Sequence, residues 1–219
     1  MKFNNEAISI LKNFTAINQS IVFKPGSVLS TMNPSKSIMA KAKIDEEIPS
    51  TFAIYDLSRF LGTLSLFNDP EITLFEKHME INEGKKKINY TFTEPSLIVS
   101  PPNKEITFPE AEVNFILPAS TLAEVTKALS VLSLPEFAVT GDGDKIYIQA
   151  IDSKKTSGDT YSVEVGDTKD TFRMIISADN MKVLPGDYDV KISSKGLSHF
   201  RSARVEYFIA VEQNSTFGS

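Results

Sequence analysis

A chain of 219 residues, 41% of them hydrophobic and with a net charge of −5, can hold one or two well-cored domains and is too acidic overall for a simple basic DNA-reading domain. It has no cysteine, which excludes disulfides, thiolate metal sites and cysteine nucleophiles. No apolar run reaches the ~20 residues that span a bilayer, and the first residues read as amphipathic helix rather than a signal peptide, so a cytoplasmic protein with no membrane partner is expected.

In chain order, residues 5–18 form the first predicted helix. Ala7, Ile10, Leu11, Phe14 and Ile17 share one face of a 100° wheel, and Asn5, Ser9, Lys12 and Ala16 lie opposite. Strands are expected at 21–23, at 28–32 after a Pro25-Gly26 turn, and at 38–44, where Ile38, Ala40, Ala42 and Ile44 alternate with Lys41 and Lys43. Residues 52–55 read as a buried strand that runs into a helix capped by Asp56. Strands at 71–76, 79–82 and 87–93 follow, with a Glu83-Gly84 turn and the Lys85-Lys86-Lys87 hairpin tip. The stretch 94–109 carries four prolines together with Leu97, Ile98, Val99, Ile106 and Phe108. It reads as an extended, apolar interdomain linker that must pack on something.

The second half repeats this order. A strand at 113–117 leads into a helix over 118–132, whose apolar face is Leu122, Val125, Leu129 and Leu132, with Lys127 opposite. Strands at 137–140 and 145–151 flank the Gly141-Asp142-Gly143-Asp144 turn. Further strands are expected at 161–165, 172–176, 187–193, 197–202 and 205–212, with a short helix over 178–184. The polar tail from Gln213 is expected to fray. Aligning Asp56 with Asp179 sets Arg59 on Lys182, and a shift of 115 sets Lys12 on Lys127. Two domains built on one plan are therefore expected, at 1–108 and 109–219. Each is α+β, with antiparallel sheet and two helices.

No nucleotide-binding or hydrolase motif is present, so no catalytic residue, metal or cofactor is assigned. His78 and His199 have no triad or metal-ligand partners at useful spacing. Asp142 and Asp144 lack the later glutamate of a calcium loop and read as a plain turn. The four helical bases, Lys12, Arg59, Lys127 and Lys182, each accompany one acid: Glu6, Asp56, Glu124 and Asp179. That pattern fits helix-dipole compensation on a solvated face. It also fits a lining that lends weak, sequence-blind contacts to a phosphate backbone.

Four segments carry a resemblance: Leu11–Asn18 (LKNFTAIN), Ala53–Leu66 (AIYDLSRFLGTLSL), Val99–Pro109 (VSPPNKEITFP) and Phe172–Val190 (FRMIISADNMKVLPGDYDV). Together they resemble the DNA polymerase sliding clamps, or processivity factors, of T-even-type bacteriophages. The resemblance implies a ring-shaped homotrimer with two clamp-type domains per chain, helices lining the hole and sheets outside. It implies encirclement of double-stranded DNA, tethering of the DNA polymerase, handling by an ATP-dependent clamp loader, support of late transcription with RNA polymerase factors, and no catalysis. Under it Lys12, Arg59, Lys127 and Lys182, with Lys2 beside the first helix, would face DNA. Leu97, Ile98, Val99 and Phe108 would form a pocket for partner peptides or, equally, seal the two domains. The competing readings are a β-rich structural or assembly protein with no DNA role and an enzyme with an unrecognised carboxylate site.

Overall fold

The computed structural model describes residues 1–102, 104, 106–155 and 157–218, and divides the chain into two compact units, Met1–Lys104 and Glu105–Ser219. Unit 1 runs α1 (Asn5–Ile17), β1 (Ile21–Phe23), β2 (Gly26–Met32), β3 (Ile38–Ile48), β4 (Phe52–Ile54), α2 (Leu57–Leu64), β5 (Glu71–Leu74), β6 (His78–Glu83) and β7 (Lys86–Thr91), followed by a 3₁₀ turn at Pro95–Leu97. Pairing is antiparallel throughout: β1 with β4, β2 with β3, and β6 between β5 and β7.

The periodicity of α1 is realised fully. Ala7, Ile10, Leu11, Phe14 and Ile17 are buried, and Asn5, Ser9, Lys12 and Ala16 are exposed. The Asn4 side chain accepts from the Ala7 N–H at 2.8 Å, a local cap for an otherwise orphan donor. The Asp56 side chain does the same for α2, accepting from the Arg59 N–H at 2.8 Å. Beneath the helices lies an aromatic core. Phe23 stacks on Phe52 at 4.5 Å, Phe52 on Phe92 at 5.0 Å, and Phe60 meets Phe3, Phe23 and Tyr90 edge-on. Tyr55, placed at the end of the buried strand by its sequence, lies outside β4 and is 69% exposed.

Unit 2 runs β8 (Val113–Leu117), α3 (Ala119–Val131), β9 (Glu136–Asp142), β10 (Lys145–Ile151), β11 (Tyr161–Asp167), β12 (Thr171–Ser177), a 3₁₀ turn at Ala178–Asn180, β13 (Tyr188–Ser193), β14 (Leu197–Arg201), β15 (Val205–Ala210) and β16 (Thr216–Phe217). One antiparallel array follows the order β11-β10-β9-β12-β16, and another places β13 between β8 and β14, with β15 beyond β14. Helix α3 packs across β9, β10 and β11, as α1 packs on β2 and β3.

Three expectations are corrected here. The helix expected over 178–184 is only a three-residue 3₁₀ turn, so unit 2 has one α-helix among its described residues instead of two. Pro185 disfavours a helical conformation at Leu184. In addition, the Leu184 N–H donates to the Tyr207 hydroxyl at 3.0 Å, and the Leu184 carbonyl accepts from the Tyr188 hydroxyl at 2.7 Å. Two buried tyrosines thus take the backbone groups a helix would have used, and burial pushes the Tyr207 hydroxyl up to about 12. Asp179 sits inside the turn and does not cap it as Asp56 caps α2. The tail does not simply fray: Thr216–Phe217 pairs with β12, and Phe217 stacks on Phe172 at 6.0 Å. Leu132, expected in the apolar face of α3, is its C-cap and is 37% exposed.

Candidate functional site

The helical bases divide by their surroundings. Lys12 is exposed on α1, diametrically away from a face sealed against β2 and β3. Lys127 holds the same place on α3, whose Leu122, Val125, Ala128 and Leu129 are buried while Ala123, Glu124, Thr126, Lys127 and Ser130 are exposed. Each lysine stands among small polar neighbours. Such a face can attract a phosphate backbone but offers no set of donors and acceptors shaped for base edges.

Lys182 is half-buried, follows the 3₁₀ turn instead of riding a helix, and is already engaged within the chain. Lys2 donates to Asp69 at 2.6 Å, a contact that raises its pKa. That pair is solvated, yet it neutralises the charge expected to face DNA. Arg59 is exposed on α2 and stands in an open groove of about 490 Å³ shared with Tyr55, Asp56, Thr63 and residues 88–93 of the β7 segment. Sequence reasoning could not find this groove, because its other wall comes from a strand some thirty residues later.

The four apolar candidates for a partner pocket also separate. Leu97 (69% exposed) and Val99 (39%) line a cleft of about 500 Å³ with Tyr55, Pro34 and the last turn of α1. Ile98, between them, is buried against Val22 and Ala53 and belongs to the core of unit 1. Phe108 lies in unit 2, where its ring packs 5.7 Å from His199. The structure therefore brings together two of the four. Asn18, missed by the sequence reading, pins this cleft: its side-chain amide donates to the Met32 carbonyl at 2.8 Å and the Val99 carbonyl at 3.2 Å.

Both histidines are stacked, His78 on Phe75 at 4.8 Å and His199 on Phe208 at 4.3 Å, and His199 also contacts the Glu206 carboxylate at 2.9 Å. The Asp142 carboxylate accepts from the Lys145 and Asp144 N–H groups at 2.8 and 2.9 Å, which lowers its pKa and closes the turn. Among the described residues no helix is long and apolar enough to cross a membrane.

An antiparallel α+β chain, dividing into two sheet-backed units with an exposed lysine on each long helix, has the architecture of a processivity clamp. The solved structure of A. fulgidus PCNA with the C-terminal region of FEN-1 matches it at a TM-score of 0.67 over 95% of this chain and 96% of that one, at 15% identity. Residues 4–100 match the family model for the DNA polymerase processivity factor, and residues 114–213 match that for the gp45 sliding clamp, C terminal. The sliding clamp of Enterobacteria phage T4 is 34% identical over 226 residues, covering 99% of each chain. That of Vibrio phage KVP40 is 30% identical over 220 residues, covering 97% of this chain and 99% of the relative. The chain belongs to the phage sliding clamp family of DNA polymerase processivity factors.

Proposed function

We propose that three copies of the chain close into a ring around duplex DNA, slide on it without sequence preference and hold the replicative polymerase at the primer end. The observation that carries this reading is the matched display of Lys12 and Lys127, each on a long helix whose opposite face is sealed into antiparallel sheet. Three chains at −5 each give −15, so an acidic exterior would repel DNA while a sparse basic lining attracts it. No base contact holds the ring at one position, and retention is topological. The two domains of the plan, 1–108 and 109–219, would then supply six similar segments of wall. An ATP-dependent clamp loader would open the ring, and the same ring would support late transcription through RNA polymerase factors. The chain performs no chemistry in this scheme.

Light scattering tests the assembly: a mass of three chains is expected. After loading, the protein should stay on circular DNA and run off linear DNA. A monomer, or equal loss from both templates, would end the reading.

Partner peptides would enter the cleft beside Leu97 and Val99. Its size suits the apolar end of a peptide, and the structurally similar A. fulgidus PCNA is seen with the C-terminal region of FEN-1 bound. Leu97→Asp is expected to weaken binding of a peptide from the C-terminus of the cognate polymerase by about tenfold or more, read by fluorescence anisotropy. The exposed position of Leu97 leaves folding intact. Unchanged affinity would move the peptide site elsewhere.

A further inference from the structure

Lys12 stands at the mouth of a cavity as well as on an exposed helix face. Asn5, Ile8 and Lys12 follow one another at three- and four-residue intervals along α1 and form a stripe on it. Leu61, Leu64 and Ser65 make a stripe of the same spacing on α2. The two stripes border a cavity of about 190 Å³ that lies wholly within unit 1, and Phe3, Phe67 and Ile72 complete its wall.

This cavity is held open by bonds on both sides. The Met1 ammonium donates to the Ile72 carbonyl at 2.6 Å, and the Ile72 N–H donates to the Met1 carbonyl at 2.8 Å. The start of the chain is thereby pinned to β5, with Phe3 in place beside it. The Phe3 ring meets Phe23 and Phe60 at centroid distances of 6.0 and 6.4 Å and is still half-exposed. Beyond α2, the Glu83 carboxylate accepts from the Asn68 and Asp69 N–H groups at 3.1 and 2.6 Å and fixes the loop that carries Asn68.

The wall is apolar and the mouth is polar. Asn5, Lys12 and Asn68 are all exposed. Among the described residues Lys12 has no ion pair, and the side-chain amides of Asn5 and Asn68 make no hydrogen bond within the chain. The neighbouring base, Lys2, is already neutralised by Asp69. A void of roughly 150 Å³ holds benzene, so this space admits a flat ring of slightly greater size. An apolar side chain seated there would leave the ammonium and both amides unmatched. A nucleotide matches all three, because it joins a flat ring, an edge of donors and acceptors, and an anionic phosphate.

We propose that this cleft receives the unstacked base of a single-stranded nucleotide, with its ring against Phe3, its edge toward the amides of Asn5 and Asn68, and its phosphate on Lys12. Aromatic surface combined with positive charge binds single strands with little regard to sequence. The inference rests on the reading of Lys12 as a phosphate contact and goes beyond it by giving the lining a place for a base. Bases of a paired duplex stay stacked, and taking one out is least costly where it is already unpaired. The cleft therefore stays unused along duplex, where sliding remains sequence-blind, and engages only at a gap or a junction with single strand.

The test is a titration of the wild-type protein at low salt, read by methyl NMR, with a thymidine tetranucleotide and with the same sugar-phosphate chain lacking its bases. The tetranucleotide is expected to shift the methyl signals of Ile8, Leu61 and Ile72 and to bind about tenfold more tightly than the abasic chain. Lys12→Gln should weaken both ligands. Ile8→Phe, which fills the cavity, should bring the affinity for the tetranucleotide down to that of the abasic chain. Leu61→Phe fills it from the other helix and replaces Ile8→Phe if that variant melts early. Equal affinities for the two ligands, both reduced by Lys12→Gln, would overturn the cleft and leave the phosphate contact standing. A preference for the tetranucleotide that neither filling variant removes would also overturn the cleft. Failure of both ligands to bind would overturn the phosphate contact together with it.

Discussion

Reversing Lys12 and Lys127 together to glutamate should shorten the products of loaded polymerase on a primed circular template by about tenfold, at unchanged thermal stability. Each reversal changes the charge by two, so the double variant loses four units per chain and twelve in the proposed three-copy ring. On the proposed reading the interaction it removes is diffuse attraction to phosphate, and this falls steeply with salt. The defect should therefore be largest at low ionic strength, and wild-type and variant products should converge as salt rises. Both residues are exposed on faces opposite the buried ones, and substitutions at such positions usually change stability by no more than roughly 0.5 kcal/mol. Product lengths equal to wild type at every salt concentration would mean that these lysines do not face the duplex.

The largest effect on stability is expected at Phe60. Its side chain is 0% exposed and its ring lies 6.4 Å from both Phe3 and Phe23 and 5.4 Å from Tyr90. Phe60→Ala removes the centre of that cluster and leaves a cavity bounded by rigid rings, at a cost of about 3–5 kcal/mol. For a chain of this size the corresponding fall in melting temperature is roughly 10 °C. Calorimetry reads it directly. A loss under about 1 kcal/mol would show that Phe3 and Tyr90 move in to refill the space. The same substitution also removes support from α2, so the groove residues Asp56, Arg59 and Thr63 should gain mobility together.

Local periodicity made much of this architecture readable before any coordinates. The face of α1, the alternation along β3 and the Asp56 cap all depend on neighbours a few residues apart. Exposure of Lys12 and Lys127 followed from the same wheels. What escaped was decided at a distance. Residues 178–184 carry a helix-like pattern, but Tyr188 and Tyr207 capture the Leu184 backbone, and no pattern inside the segment announces that. Lys2 looked like a free base until Asp69, sixty-seven positions later, came within 2.6 Å. Leu97, Ile98 and Val99 looked like one apolar group. The chain turns there, so Ile98 enters the core and its neighbours remain on the rim. Arg59 is an exposed helical base as its wheel indicates, but a wheel cannot show that residues 88–93 stand alongside it.

The two long helices also begin differently, and this bears on the order in which the units take shape. Helix α1 carries its own starting signal, with Asn4 bonded to an N–H three residues on. Helix α3 starts at Pro118 without a side-chain cap. The open Ala119 N–H is instead met by the Asp187 carboxylate, sixty-eight positions later, at 2.7 Å. A nascent α1 can thus be stabilised while the rest of the chain is still unstructured, whereas α3 gains this bond only once β12 and β13 are in place. Contacts of long sequence separation slow folding, so unit 2 should reach its native form after unit 1, and a refolding chain should pass through a stage in which only the first lysine-bearing helix is secured.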